Sequence, residues 1–154
     1  MGDIDKRLGE LGITLPAATK PVANYVPWVR TGNLIFLSGQ VPIENGKVAY
    51  TGAVGGAVSM EDGAKAARIC AINLISQIKD ACGGDLDRVT RIVKLVGFVN
   101  ATPEFGDHPK VINGASDLMV EVFGDKGRHA RSAVASPSLP LGVSVEVEAI
   151  VEIA

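Results

Sequence analysis

The sequence predicts an α+β domain built on a mixed β-sheet, with two main helices packed on one face. The predicted elements follow the order α, β, β, β, α, β, α, β, β, so helices are inserted between strands rather than grouped apart from them. At 154 residues, 47% hydrophobic and 21% charged, the chain has the size and composition of one ordinary globular domain. These elements leave the second face of the sheet uncovered, and we therefore expect oligomerisation through that face.

The N-terminal part is predicted to lead into the main domain. Asp3 to Leu11 has apolar residues at helical spacing and forms a predicted leading helix. The proline-broken segment "PAATKPVAN" follows and should be extended. We accordingly divide the chain into a leading helix with an extended segment over 1–20 and a single domain over 21–154.

Turn and capping signals predict the first strands and the first main helix. "YVPWV" and "NLIFLSGQVP" should form strands around the turn "RTGN", and "KVAY" should form a short third strand. Ser59 is a predicted N-cap, and its helix should run to about Cys82, where "CGGD" ends it.

The second half of the chain supplies the remaining strands and the second main helix. "RVTRIVKLVGFVN" is long and rich in β-branched residues, which predicts a strand, and "HPKVINGASDLMVEVFG" predicts a helix. "HARSAV" and "VSVEVEAIVEI" complete the set as strands. Hairpins are therefore expected at both ends of the sheet.

Charge and hydropathy exclude several classes of partner. The net charge of −2 and the pI of about 5.7 give no basic footprint, so we expect no nucleic-acid partner. No segment reaches the roughly 20 apolar residues that span a bilayer, so no membrane partner is expected. The charged, amphipathic N-terminus lacks the apolar core of a signal peptide, and the predicted location is the cytoplasm.

Cysteine and histidine spacing gives no sign of a disulfide or a metal site. Cys70 and Cys82 lie 12 positions apart on one predicted helix. That separation corresponds to roughly 18 Å, which is beyond disulfide reach and favours a reducing compartment. His108 and His129 are the only histidines and lack the clustered spacing of zinc ligands. We predict no metal.

The C-terminal strands carry the residues with the best case for chemistry. In "VSVEVEAIVEI" the valines share one face and Glu146, Glu148 and Glu152 share the other, while His129, Arg131 and Ala133 point one way in "HARSAV". Strand alternation alone favours solvated acids and a surface ion pair for Arg131. The functional alternative is an arginine fork that binds a carboxylate, with a glutamate on an adjacent strand that positions water.

Four segments of the chain are distinctive as a set: "NLIFLSGQVP", "AARICAINLISQIKDACG", "HARSAV" and "LPLGVSVEVEAI". Together they resemble the Rid/YjgF family of reactive-intermediate (enamine/imine) deaminases, also catalogued as L-PSP endoribonucleases. The resemblance runs from about Tyr25 to the C-terminus, and the leading helix and longer loops are similar to a longer subgroup. It implies a chorismate-mutase-like fold that assembles as a homotrimer, with the sheets forming a barrel and clefts between subunits.

The resemblance also implies roles for individual residues. The arginine that binds the substrate carboxylate corresponds to Arg131, and the glutamate that holds or activates water corresponds to Glu146. Residues that line the cleft correspond to Tyr25, to Gly39 of "SGQ", and to Asn113 of the second main helix.

One position departs from the family pattern and keeps alternative functions open. A cysteine often found two residues after the arginine is Ala133 here, which would reshape the substrate pocket. The resemblance implies cofactor-independent deamination of small 2-imino or 2-enamino acids to 2-keto acids and ammonia. The alternatives are an endoribonuclease and a non-enzymatic module that binds small metabolites in the same clefts.

Overall fold

The computed structural model describes residues 1–154, and its elements confirm the α+β class. The three α-helices are α1 (Asp3–Glu10), α2 (Met60–Ala81) and α3 (His108–Phe123). The strands are β1 (Trp28–Thr31), β2 (Leu34–Gln40), β3 (Ile43–Glu44), β4 (Lys47–Val48), β5 (Val89–Asn100), β6 (Ala130–Ser136) and β7 (Val145–Ile153).

The main sheet is mixed and has five strands in the order β1-β2-β7-β5-β6. Its neighbouring strands are antiparallel except β5 and β6, which run parallel and are connected through α3. A crossover of this kind is what parallel neighbours require. The hairpin predicted at the C-terminal end is therefore wrong, because the 12-residue β5 lies between β6 and β7 and pairs with both.

The N-terminal hairpin is present but begins later than predicted. Its first strand starts at Trp28 rather than Tyr25, since Pro27 lacks the N–H that a strand ladder needs. The segment before it is still attached to β2: the Ser38 hydroxyl donates to the Val26 carbonyl at 2.9 Å, and the Ser38 N–H donates to the Pro27 carbonyl at 2.9 Å. The predicted third strand shortens to β4, which pairs only with β3.

The two main helices form where capping and periodicity predicted them. The Ser59 hydroxyl accepts a hydrogen bond from the Asp62 N–H at 3.1 Å, and Gly83 follows the end of α2 with φ +66°. Both helices bury one apolar stripe. The buried residues include Ala67, Cys70, Ala71, Leu74, Ile75 and Ile78 of α2 and Val111, Ala115, Leu118, Met119 and Val122 of α3.

Both helices pack on the same face of the sheet, which leaves the other face open. α2 contacts β2 and β7, and α3 contacts β5 and β6. Along β7, the odd-numbered residues from Val145 to Ile153 are buried under the helices. On the opposite face Phe36 and Val134 are each 43% exposed. This open face is the uncovered surface that the element order predicted.

The N-terminal segment is attached to the domain by hydrogen bonds. The Asp87 carboxylate accepts from the N–H groups of Asp3 and Ile4, both at 2.9 Å, and caps α1. These backbone hydrogen bonds lower the pKa of Asp87. Further along, the Gln77 side chain of α2 donates to the Thr19 carbonyl at 2.8 Å. No helix is long and apolar enough to cross a membrane.

Candidate functional site

Arg131 lies on the edge strand β6 and points toward the helix-covered face. Its strand partner Leu95 is fully buried on that face. The Nη1 atom of Arg131 donates to Asn113 Oδ1 at 2.8 Å and to Ser116 Oγ at 3.1 Å. Asn113 and Ser116 both belong to α3 and are one helical turn apart, which places them on one face of the helix. Helix α3 therefore fixes one end of the guanidinium.

The charge of Arg131 is not neutralised within the chain. Its two hydrogen-bond partners are an amide and a hydroxyl, and it takes part in none of the salt bridges. The ion pair that strand alternation favoured for Arg131 is thus not formed. Both hydrogens of Nη1 are used, whereas Nε and Nη2 have no partner in the chain. The edge formed by Nε and Nη2 can therefore donate two parallel hydrogen bonds to a carboxylate.

Glu146 lies on β7 and points to the open face of the sheet. It pairs across the strands with Phe98, which pairs in turn with the exposed Val134. Gly39 of β2 lies directly beneath the glutamate side chain. A Cβ built on Gly39 would be 3.0 Å from the Cδ, Cγ and Oε1 atoms of Glu146. Glycine is therefore required at this position for the carboxylate to lie where it does.

The surroundings of Glu146 favour its protonated form. Burial of the half-exposed side chain raises the pKa of Glu146, and the nearby charge of Glu148 raises this pKa further. Glu152, by contrast, accepts a hydrogen bond from the Thr90 hydroxyl at 2.6 Å. A raised pKa such as that of Glu146 is typical of carboxyl groups that transfer protons.

The two residues predicted to act together do not meet within one chain. Arg131 was expected on a strand adjacent to that of Glu146, but β5 separates β6 from β7. The two side chains also lie on opposite faces of the sheet, because Arg131 pairs with Leu95 and Glu146 with Phe98. The error comes from the strand order, which alternation along single strands does not determine.

The predicted site residues instead form two separate groups. We call the first the arginine half-site, which comprises the predicted residues Asn113 and Arg131 together with Ser116, which both contacts Arg131 and lies on the same helix as Asn113. The second is the glutamate half-site, comprising Tyr25, Gly39 and Glu146. Tyr25 is 59% exposed and precedes the segment that Ser38 binds beside Gly39.

Ala133 lies on the same face of β6 as Arg131. It pairs with Gly97 of β5 and is partly buried against the core. A Cβ on Gly97 would be 2.4 Å from Ile112 Cδ1, so α3 approaches the sheet closely at this point. Ala133 therefore belongs to the wall beside the arginine half-site.

Two further polar residues of this region were not predicted as site residues. Ser116 Oγ lies 2.9 Å from His129 Nε2, and His129 Nδ1 lies 2.6 Å from the Gly127 carbonyl oxygen. Two sequence signals pointed to them: His129 shares a strand face with Arg131, and Ser116 follows Asn113 by one helical turn. Neither signal alone shows that the helix and the strand edge meet.

Both cysteines are buried free thiols, and no cluster of metal-binding side chains is present. Cys70 and Cys82 are buried and unpaired, in agreement with the predicted spacing. The Cys70 thiol donates to the Val145 carbonyl at 3.6 Å, and burial, followed by the charge of Glu146, raises the pKa of Cys70 well above its usual value. No group of three or more His, Cys, Asp or Glu side chains is placed to bind a metal.

A sizeable cavity lies away from both half-sites. It has a volume of about 640 Å³ and is formed by the N-terminal segment 11–19, the β3–β4 hairpin and α2. None of the predicted site residues lines it. This cavity is therefore separate from the chemistry of the two half-sites.

The chain belongs to the family described as "YjgF/chorismate_mutase-like, putative endoribonuclease", whose family model matches residues 5–153. It is 47% identical over 153 residues to Protein TCP17 of Trypanosoma cruzi, covering 99% of this chain and 95% of that protein. The resemblance noted from "SGQ", "HARSAV" and "VEVEAI" is thereby confirmed.

Solved structures support the same assignment. The Agrobacterium tumefaciens protein Atu1372, described as of unknown function, superposes with a TM-score of 0.93 at 52% identity, covering 98% of this chain and 92% of that chain. The Escherichia coli YjgF product superposes with a TM-score of 0.64 at 28% identity, covering 90% of this chain and 98% of that chain. The fold is shared with YjgF, and the closer match to Atu1372 agrees with a longer subgroup.

Proposed function

We propose that this protein hydrolyses reactive 2-imino and 2-enamino acids to 2-keto acids and ammonia, in clefts between the subunits of a homotrimer. The observation that carries the proposal is the division of the site. One half presents an unpaired cation with a free two-donor edge, and the other presents a carboxyl group with a raised pKa. Together they would supply what an imino acid needs, an anchor for its carboxylate and a group that handles water and protons.

The arginine half-site would bind the substrate carboxylate. Arg131 offers Nε and Nη2 for a bidentate pair, and Asn113 and Ser116 hold Nη1 from the other side. Because the guanidinium has no carboxylate partner in its own chain, a substrate carboxylate would displace nothing but solvent. Asn113 in this proposal supports Arg131 as well as lining the cleft.

The glutamate half-site would carry out the water chemistry. Water adds to the imine carbon while Glu146 accepts its proton, and the imine nitrogen is protonated to give a carbinolamine. The carbinolamine then collapses: its C–N bond breaks, ammonia leaves, and its hydroxyl becomes the keto oxygen. No oxidation or reduction occurs, so the step needs no cofactor. The raised pKa of Glu146 lies nearer the working pH, which allows the carboxyl group both to accept and to donate a proton during the reaction.

A second copy of the chain would bring the halves together. The open face carries exposed apolar side chains, including Phe36 on β2 next to the glutamate strand and Val134 on β6, and is suited to burial against another subunit. Arg131 lies on β6, the edge strand of the sheet, where a neighbouring subunit can approach it. Rotational symmetry would then repeat the same Arg131–Glu146 pairing in every cleft.

Endoribonuclease activity is the second candidate, favoured by the family's description. Acid/base cleavage of RNA needs groups that can donate and accept protons around a phosphate. His129 has both ring nitrogens within hydrogen-bond distance of other groups, and His108 has its Nε2 atom buried. With a net charge of −2 and no basic footprint, the chain offers less to RNA than to a small carboxylate.

The deciding experiment generates 2-iminopropionate in situ and follows the release of keto acid. Wild type should accelerate release, and Arg131→Ala and Glu146→Gln should each remove most of the acceleration. Matched controls are Arg128→Ala, which alters an exposed arginine paired with Asp125, and Glu152→Gln, which alters an exposed glutamate of β7 that accepts a hydrogen bond from Thr90. Release by wild type at the buffer rate would contradict the proposal. Cleavage of RNA that is lost in Arg131→Ala would favour the second candidate.

A further inference from the structure

The two ring nitrogens of His129 face groups of different chemistry. Nδ1 lies 2.6 Å from the Gly127 carbonyl oxygen, and Nε2 lies 2.9 Å from Ser116 Oγ. A carbonyl oxygen can only accept, so Nδ1 must carry the proton in this hydrogen bond. In the neutral imidazole Nε2 is then an acceptor.

This tautomer determines the direction of the next hydrogen bond. Because Nε2 of His129 accepts, the Ser116 hydroxyl must donate its single hydrogen to it. The lone pairs of Ser116 Oγ then remain available to Arg131 Nη1, which donates at 3.1 Å. Arg131 thus donates to Ser116, Ser116 donates to His129, and His129 donates to the Gly127 carbonyl. We call these three residues and their hydrogen bonds the relay.

The relay has a consequence for how Arg131 meets a ligand. Nη1 bears two hydrogens, and both are used, one by Asn113 and the other by Ser116. An end-on fork, which needs one hydrogen from each Nη atom, would require breaking one of these bonds. The side-on fork formed by Nε and Nη2 is already free.

We propose that His129 is a positioning residue: by orienting the Ser116 hydroxyl, it holds the Arg131 guanidinium so that its Nε/Nη2 edge meets the substrate carboxylate. The inference rests on the proposed function of Arg131. It assigns to His129 no contact with the substrate and no share in proton transfer to it. His129 acts on the affinity for a carboxylate rather than on the chemical step.

Two substitutions of similar polarity separate positioning from a general structural role. His129→Asn keeps a donor near the Gly127 carbonyl but is too short to reach Ser116. His129→Gln extends an amide to the position of Nε2, where its oxygen can accept from the Ser116 hydroxyl. Ser116→Ala breaks the relay from the helix side and serves if His129→Asn does not fold. His108→Gln is the matched control, because His108 is the other histidine and lies outside the relay.

The first measurement needs no ligand. In ¹⁵N-labelled protein at about pH 8, where an ordinary imidazole is neutral, the His129 ring should show the Nδ1–H tautomer. Hydrogen exchange at Arg131 Nη1, which donates to Asn113 and Ser116, should be faster in His129→Asn and Ser116→Ala than in wild type, with His129→Gln and His108→Gln close to wild type. An Nε2–H tautomer, or the same exchange rate in wild type and His129→Asn, would overturn the inference.

The second measurement uses pyruvate, a 2-keto acid product, as the carboxylate probe. His129→Asn should weaken its binding roughly tenfold, the size expected for the loss of one hydrogen bond that orients the charged group, and should raise KM with little change in kcat. His129→Gln should restore affinity. If wild type fails to bind pyruvate, the proposed function fails, while the Arg131 exchange rates still decide the relay. Pyruvate affinity unchanged in His129→Asn would overturn the positioning role.

Discussion

Gly39 is the position at which a single added methyl group should disable the glutamate half-site without unfolding the protein. The perturbation is Gly39→Ala. The new Cβ would be 3.0 Å from the Cδ, Cγ and Oε1 atoms of Glu146, which is closer than carbon atoms ordinarily pack. Gly39 does not have a positive φ, so alanine introduces no backbone strain there. The added methyl group should therefore act only by displacing the Glu146 side chain.

The size of the effect follows from how far the carboxylate must move. Relieving three contacts at 3.0 Å requires a shift of a few tenths of an ångström or a new rotamer of Glu146. Displacements approaching about 1 Å cost on the order of 100-fold in rate when a group must face a reacting atom. We therefore expect kcat for imine hydrolysis to fall about 10- to 100-fold. Stability should change by less than about 1.5 kcal/mol, because the side chain that yields is half-exposed.

The assay is keto-acid release from an imino acid generated in situ, combined with thermal unfolding. Gly106→Ala is the matched control, because a Cβ at Gly106 meets nothing within 4 Å. This control should retain both wild-type rate and wild-type Tm. A Gly39→Ala variant that folds normally and keeps the wild-type kcat would show that the contact with Glu146 is irrelevant to the chemistry.

Three other predictions concern pH and packing. Glu148→Gln removes one of the two causes that raise the pKa of Glu146, so the acid limb of the kcat/KM profile should move to lower pH; an unmoved limb would argue against Glu146 as the base. Glu146→Gln should raise the free energy of unfolding at neutral pH, as measured by urea titration. The pKa of this carboxyl group is higher in the folded protein than in the unfolded chain, where it is roughly 4.3. The group therefore stabilises the fold at pH values below the unfolded pKa, and this contribution is lost as pH rises through the folded pKa. Gly97→Ala should destabilise the protein by about 1–3 kcal/mol in the same titration, because its Cβ would be 2.4 Å from Ile112 Cδ1. An unfolding midpoint at the same urea concentration as wild type would show that α3 does not pack so closely on the sheet at Gly97.

Alternation along single strands was sufficient to predict which face each C-terminal residue occupies. The odd-numbered residues of β7 are buried and Glu146 and Glu148 lie on the other face, as predicted. His129 and Arg131 were predicted to share a face, and both contact Ser116. A period of two residues is a local property of the backbone, so a single sequence contains it.

Strand order and helix–strand contacts could not be predicted in the same way. Nothing in "HARSAV" or "VSVEVEAIVEI" states that β5 lies between them, and so Arg131 and Glu146 were wrongly put on adjacent strands. The relay through Ser116 and His129 depends on where α3 crosses β6, which is set by packing of the whole core. Resemblance to a family supplied the pairing of Arg131 with Glu146, but one chain alone does not bring them together.

If Arg131 of one subunit works with Glu146 of another, oligomers that mix two single variants should regain activity. Arg131→Ala and Glu146→Gln, each inactive alone, are co-expressed in equal amounts with different tags, and the doubly tagged and single-tag oligomers are assayed together. In a random assembly, about half of the clefts receive an intact Arg131, and about half of those also receive an intact Glu146. About one quarter of the clefts are then complete, so activity should return to about one quarter of wild type. Co-assembled oligomers that remain as inactive as the separate variants would show that Arg131 and Glu146 of different subunits do not act in one cleft.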